Sequence, residues 1–208
     1  MPSTDPVLVK IIDYLVAQYG AHTILLYGSR ADGSATADSD YDVAAFAAVE
    51  HEIRNNEFID DAYWDVFVYP EALLASPTKE YLKLRSSQIL VQKSNHADDF
   101  LADLDKLFDA GPAVLTEQEI AVREQWAAKM LARIQRDDIE GNYRRVWLLT
   151  TILEDYFDLR QLWYQGPKKS FVWMKENAPN DFYLFERALS PAAVHSDIEC
   201  AVRCVFDI

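Results

Sequence analysis

The sequence predicts an α/β half followed by an all-α half. Before residue 112, short apolar runs bounded by turn residues alternate with helical patterns, which is typical of strands joined by helices. After Ala110-Gly111-Pro112 the strand-like runs disappear, and apolar residues recur only at helical spacing. Half of the residues are apolar and 12% are aromatic, as in globular proteins. We therefore predict two domains, residues 1–112 and residues 113–208.

The N-terminal half is predicted to combine helices with several short strands. Asp5 and Pro6 can cap and start a first helix, and Gly20 can end it. The polar residues between the second and third strands indicate a loop. The elements predicted after the first helix are strands at 22–28, 41–49 and 62–69, a helix at 71–86, a further short strand at 88–92 and a helix at 97–108.

The C-terminal half is predicted to be an all-α helical bundle. Thr116 and Glu119 form the sequence pattern of a capping box, which opens the first of its helices. A longer helix is predicted over residues 140–164, with Gly166 and Pro167 as its end. A further helix and two shorter ones fit the remaining residues. This half therefore adds no strands to the predicted sheet.

Composition excludes several classes of protein. The formal net charge of −14 makes nucleic acid an improbable main partner, because phosphate backbones are bound by cationic surfaces. Residues 1–112 hold 8 Lys and Arg against 19 Asp and Glu, whereas residues 113–208 hold 12 against 15. The sequence shows no apolar run of membrane-spanning length and no signal-peptide pattern, and Cys200 and Cys204 indicate reduced thiols. We expect a cytoplasmic protein with no membrane partner.

The residues that point to chemistry lie in the N-terminal half. Gly28 and Ser29 follow the first predicted strand, and ten residues later Asp40 and Asp42 accompany the second. Side chains alternate along a strand, so both carboxylates lie on one face. Asp65 interrupts the apolar third strand, where a charge is costly unless it is paired or coordinated. Adjacent carboxylates repel each other unless a cation lies between them, and Mg²⁺ prefers such oxygen ligands.

The segment GSRADGSATADSDYD (28–42) resembles the signature of the DNA-polymerase-β-like nucleotidyltransferase superfamily. Gly28 and Ser29 match its phosphate-gripping turn, Asp40 and Asp42 its paired metal ligands, and Asp65 its third carboxylate. The resemblance covers about residues 22–70. It implies a mixed sheet with helices packed against it, two Mg²⁺ ions, an NTP as co-substrate, and in-line attack on the α-phosphate with loss of pyrophosphate.

The helical half resembles, more loosely, that of the kanamycin- and lincosamide-type antibiotic nucleotidyltransferases. In that comparison Glu154, on the polar face of the long helix, would be a general base for the acceptor hydroxyl. Lys168 and Lys169 begin a helix, where cations oppose the helix dipole unless an anion such as a triphosphate lies nearby. Arg30, beside the Gly-Ser turn, offers a further cation for nucleotide phosphates.

Each of these features also has a purely structural interpretation. A single Asp-x-Asp is commonly a solvated strand end, and a Gly-Ser pair is commonly a turn. Only their order, spacing and strand context together favour a site. Lys168 and Lys169 fit solvated surface lysines equally well, and Glu154 fits a carboxylate paired with a nearby arginine better than a base.

The sequence thus predicts a Mg²⁺-dependent nucleotidyltransferase that moves a nucleoside monophosphate, expected to be AMP, onto a hydroxyl acceptor. A small molecule such as an aminoglycoside or a lincosamide is the favoured acceptor, which would be an activity of the antibiotic-resistance type. One alternative is a protein acceptor, as for antitoxin-like nucleotidyltransferases. Another is a non-catalytic module that binds a nucleotide or a partner protein. A DNA-repair polymerase is disfavoured by the charge of −14.

Overall fold

The computed structural model describes residues 5–59, 62–136 and 138–206 and divides into two compact units, residues 1–110 and 111–208. The first unit is a sheet with helices and the second is helical, which confirms the predicted fold class. Each unit has a hydrophobic core of its own. No helix in the described ranges is long and apolar enough to cross a membrane.

Within its described residues, the first unit contains five strands, three α-helices and two 3-10 helices. In chain order these are α1 (Pro6–Tyr19), β1 (Thr23–Tyr27), the single-turn α2 (Ser29–Asp32), β2 (Tyr41–Ala47), β3 (Ile53–Ile59), β4 (Ala62–Pro70), 3-10 helices at Glu71–Ala75 and Lys79–Leu84, β5 (Gln88–Val91) and α3 (His96–Ala110). The strand order is β3-β4-β2-β1-β5. Only β2 and β4 run parallel, so the sheet is mixed.

Helix α1 forms where its capping residues predict it. Asp5 caps it by accepting from the backbone N–H of Val7 at 2.9 Å. The other carboxylate oxygen of Asp5 accepts from the Tyr41 hydroxyl at 3.0 Å, which ties the helix start to the start of β2. Gly20 ends the helix with a φ of 65°, in the left-handed region that glycine adopts without strain.

Two predictions for the first unit were wrong. The segment predicted as a loop forms strand β3, because an edge strand with polar side chains still satisfies its backbone groups by pairing with β4. The predicted helix at 71–86 is instead two short 3-10 helices, separated by a break at Ser76 that precedes Pro77. Asp60 and Asp61, in the predicted loop, lie outside the described residues.

The second unit contains five helices within its described residues: α4 (Glu117–Arg133), α5 (Ile139–Leu159), α6 (Pro167–Asn177), α7 (Pro179–Leu189) and α8 (His195–Val205). The capping box is confirmed, since Thr116 and Glu119 each bond the other's backbone N–H. Helix α5 ends five residues before the predicted end. Gln161 adopts a φ of 55° there, and the N–H of Leu162 donates back to the Phe157 carbonyl at 2.9 Å.

Candidate active site

Parallel pairing of β2 and β4 brings two of the predicted carboxylates together. Asp42 and Asp65 are direct partners in the register of these strands, and paired residues on neighbouring strands project to the same face. Asp40 lies two residues before Asp42, at the exposed approach to β2. The sheet thus joins residues that are more than twenty positions apart in the chain.

Its surroundings change the ionisation of Asp42. Burial and, to a smaller extent, the negative charges of Asp65 and Asp40 raise the pKa of Asp42 to about 6, and Lys83 opposes this rise. Tyr27, the partner of Asp42 on β1, has a raised pKa because it is buried and lies beside Asp42. Lys83 therefore offsets only part of the cost of ionising Asp42 at this position.

Gly28 allows the turn after β1 to approach Asp42. Its φ of 69° and ψ of −156° are a conformation essentially restricted to glycine. A Cβ at this position would lie 2.2 Å from the Oδ2 atom of Asp42. Ser29 follows as the first residue of α2. The structure therefore places Gly28 of the predicted Gly-Ser turn directly against Asp42.

Arg30 has structural partners on the loop before β2. Its guanidinium donates to the Ser39 carbonyl at 2.6 Å and to the Asp40 carbonyl at 3.1 Å, and it lies 3.8 Å from the centre of the Tyr41 ring. These contacts hold the loop against the strand and so position Asp40. Phosphate binding by Arg30 stays a prediction, and in this structure its guanidinium braces the loop.

Two cations at this site were not found from the sequence. Arg54 on β3 donates through Nε and Nη2 to the two carboxylate oxygens of Asp65, both at 3.0 Å, and its guanidinium lies 4.9 Å from the centre of the Phe67 ring. Lys83 lies 4.2 Å from the same ring. Arg54 was missed because its strand was taken for a loop, and the side chains of β3 show no regular alternation of apolar and polar residues that could have revealed it.

The fit of a divalent cation can be tested on the carboxylates themselves. Asp40 and Asp42 supply the oxygen donors that Mg²⁺ prefers, and burial together with the neighbouring carboxylates raises the pKa of Asp42. Asp65 differs, because both of its oxygens accept from Arg54. Within the part of the chain that the structure describes, no three or more His, Cys, Asp and Glu side chains are grouped to hold a metal ion. Asp40 and Asp42 therefore fit the ion, whereas both oxygens of Asp65 already have Arg54 as a partner.

The candidate residues of the helical unit lie on α5 and α6. Glu154 is exposed and lines a cavity of about 340 Å³. On the same wall Arg123 donates to Asp155 at 2.7 Å and to Asp158 at 2.9 Å. The arginine pairing that the sequence suggested for this face is thus observed for Asp158, and Asp155, which is buried, was missed.

Lys168 and Lys169 occupy the first turn of α6 with exposed side chains. They belong to the helical unit, whereas Gly28 and the carboxylates belong to the first unit. The part of these lysines in nucleotide binding, like that of Glu154 in catalysis, stays a prediction.

Comparison with known proteins adds a structural similarity. No family model matches the chain, and no curated protein matches it. Among solved structures, the chain is similar to a nucleotidyltransferase-like protein from Exiguobacterium sibiricum 255-15, with 11% sequence identity and a TM-score of 0.44. The match covers 96% of this chain and 71% of that chain. At this level of similarity we transfer no residue role and no activity from it.

Proposed function

We propose that the protein is a Mg²⁺-dependent nucleotidyltransferase that moves a nucleoside monophosphate, expected to be AMP, from an NTP to a hydroxyl acceptor. One observation carries the proposal. Asp42 is paired with Asp65 across neighbouring strands, and a glycine turn approaches Asp42 so closely that a Cβ would collide with it. This arrangement combines carboxylate oxygens for a cation with a turn whose backbone can approach a phosphate.

Each residue then has a defined part. The turn at Gly28 and Ser29 would hold the β- and γ-phosphates, and Asp40 and Asp42 would hold Mg²⁺, joined by Asp65 once Arg54 has left. Bound Mg²⁺ would offset phosphate charge and favour ionisation of the acceptor hydroxyl. The acceptor oxygen would form a bond to the α-phosphorus as the bond to the pyrophosphate oxygen breaks.

The proton of the acceptor hydroxyl needs a base. Asp65 and Glu154 are the two candidates, and they lie in different units. Asp65 is next to the other carboxylates, whereas Glu154 lines a cavity in the helical unit. A small molecule such as an aminoglycoside or a lincosamide is the preferred acceptor, because the acidic charge of the first unit suits a cationic molecule.

A non-catalytic nucleotide-binding or partner-binding module is the second candidate function. The Arg54–Asp65 ion pair favours it, because an internal cation already neutralises the third carboxylate. The two candidates differ in whether pyrophosphate is released.

The experiment that tests the proposal uses ATP and GTP labelled at the α-phosphate. The whole protein is incubated with each nucleotide and Mg²⁺, alone and with aminoglycosides or lincosamides, and labelled products and pyrophosphate are measured. We expect label on an added acceptor and equimolar pyrophosphate, both abolished by EDTA. Nucleotide binding without pyrophosphate release, across all nucleotides and acceptors, would instead support the non-catalytic module.

Replacement of Glu154 by Gln tests the choice of base. If Glu154 accepts the acceptor's proton, kcat should fall by about 10²-fold or more while KM for the NTP changes little. Glu176→Gln removes a similarly exposed carboxylate from α6 of the same unit and should leave kcat unchanged. Equal kcat values for the two variants would exclude Glu154 and leave Asp65 as the base.

A further inference from the structure

Arg54 holds the Asp65 carboxylate in a two-point contact. Its Nε and Nη2 atoms each donate to a different oxygen of Asp65 at 3.0 Å, a geometry in which the planar guanidinium matches the carboxylate. Arg54 pairs with Phe67 in the register of β3 and β4, so Asp65 is the diagonal neighbour on the same face. While this contact persists, each oxygen of Asp65 already accepts one hydrogen bond, and the guanidinium charge opposes a metal ion beside it.

We propose that Arg54 and a divalent cation compete for the Asp65 carboxylate, so that Arg54 controls when the third carboxylate becomes available to the ion. This inference rests on the proposed function, because it assumes that Asp40 and Asp42 bind the ion. It makes Arg54 a gating residue of the site. The ion would gain Asp65 as a ligand only as the guanidinium turns away.

The two partners differ in how easily they can move. The side chain of Arg54 is 55% exposed, whereas that of Asp65 is 17% exposed. Arg54 projects from β3, the strand at the edge of the sheet, and Asp65 is on β4, which is paired on both sides. Ion pairs with an exposed partner are weak, since water solvates the released charge. Exchange of partners therefore requires only that Arg54 turn towards solvent.

Lys83 is the second cation at the site, and it contacts aromatic rings. Its side chain is exposed, and its Nζ atom lies 4.2 Å from the centre of the Phe67 ring and 5.5 Å from that of Tyr27. Contacts with two aromatic rings stabilise a cation at this position. Arg54 instead donates directly to Asp65, so it is the cation with which a metal ion would compete for that carboxylate.

The charge balance favours exchange of Arg54 for a divalent ion. The carboxylates of Asp40, Asp42 and Asp65 lie with the cations Arg54 and Lys83, and Glu52 also interacts with Lys83. Carboxylates therefore outnumber cations at the site. A divalent cation in place of Arg54 supplies two positive charges, whereas Arg54 supplies only one.

Binding of Mn²⁺, followed by the electron paramagnetic resonance signal of the free ion, tests the proposal without any reaction. Arg54→Gln should bind Mn²⁺ on the order of ten-fold more tightly than the unaltered protein, which corresponds to about 1.4 kcal/mol. The gain should disappear when Arg54→Gln is combined with Asp65→Asn, because the ligand that Arg54 releases is then missing.

Arg85 supplies a matched control. It pairs with Asp105 at 2.6 Å and lies 3.9 Å from the centre of the Phe108 ring, so Arg85→Gln breaks a similar arginine–aspartate pair elsewhere in the same unit. This variant should bind Mn²⁺ as the unaltered protein does. The proposal would be overturned if Mn²⁺ affinity rose equally in Arg54→Gln, in Arg85→Gln and in the double variant Arg54→Gln/Asp65→Asn. Such a result would show an effect of net charge alone.

The remaining outcomes separate this proposal from the proposed function. If the unaltered protein binds Mn²⁺ and transfers nucleotide, but Arg54→Gln binds no more tightly, the gate is refuted and the function stands. If neither the unaltered protein nor Arg54→Gln binds Mn²⁺, with or without a non-hydrolysable ATP analogue, both proposals are refuted.

Discussion

Replacing Asp42 with Asn is expected to abolish nucleotidyl transfer and, at the same time, to stabilise the metal-free protein at neutral pH. The loss of transfer follows because Asp42 is the carboxylate that both the Gly28 turn and Asp65 approach. We expect turnover to fall by at least about 10³-fold, since the variant removes a ligand of the proposed ion. Asp38→Asn, which alters an exposed aspartate of the preceding loop, should leave turnover unchanged.

The gain in stability follows from the pKa of Asp42. Burial and the neighbouring carboxylates raise this pKa from 3.8 to about 6, so folding favours the protonated form. The stability that this group contributes is complete below pH 3.8 and is lost as the pH rises through about 6. Asn carries no charge, so the variant avoids that loss. Because the carboxylate is partly exposed, solvent screening limits the expected gain to about 1 kcal/mol.

Urea denaturation in EDTA, at pH 4 and pH 7.5, measures the effect. The free energy of unfolding of the first unit should be higher for Asp42→Asn than for the unaltered protein at pH 7.5, and the difference should shrink at pH 4. If Asp42→Asn keeps its turnover, Asp42 is not part of the active site. A variant that is less stable at pH 7.5 would contradict the charge repulsion that we infer around it.

Gly28→Ala is expected to have the second large effect. The new methyl group would lie 2.2 Å from Asp42 Oδ2, so either the turn or the carboxylate must move. The backbone of Gly28 also has a φ of 69° and a ψ of −156°, which costs other residues about 1–3 kcal/mol. We expect the first unit to lose about 2–3 kcal/mol of stability and the protein to lose nucleotidyl transfer.

Gly33→Ala separates the effect of backbone strain from the effect of the collision with Asp42. Gly33 has a φ of 80°, but a Cβ there would meet no atom within 4 Å. This variant should cost about 1 kcal/mol through its backbone alone and leave transfer intact. If the two glycine variants have the same transfer rate and the same unfolding free energy, the contact between Gly28 and Asp42 has no functional role.

Sequence reasoning was most successful where the decisive interactions are local. The cap of α1 at Asp5 and its end at Gly20 depend on residues within a few positions of each other, as does the capping box at Thr116 and Glu119. Apolar strands β1, β2 and β4 were recognisable from their own side chains. The same reasoning failed for β3, whose exposed polar side chains resemble those of a loop.

The candidate site shows the same division. Strand alternation predicts that Asp40 and Asp42 share a face, although β2 begins only at Tyr41, and the charge within an apolar run singles out Asp65. Contact between Arg54 and Asp65 could not be inferred, because it depends on the register of β3 against β4. The end of α5 was likewise decided at Arg160 and Gln161, before the glycine and proline that the sequence suggested.

The sequence by itself therefore determined the two-part fold class, the helix caps and the acidic residues around which a site can form. Those features follow from side-chain periodicity and from contacts between near neighbours. Only the tertiary structure decided that Gly28 lies against Asp42, that Asp42 is paired with Asp65, and that Arg54 forms an ion pair with Asp65. The physical reason is that strand order and register bring distant residues together, and these depend on packing of the whole sheet.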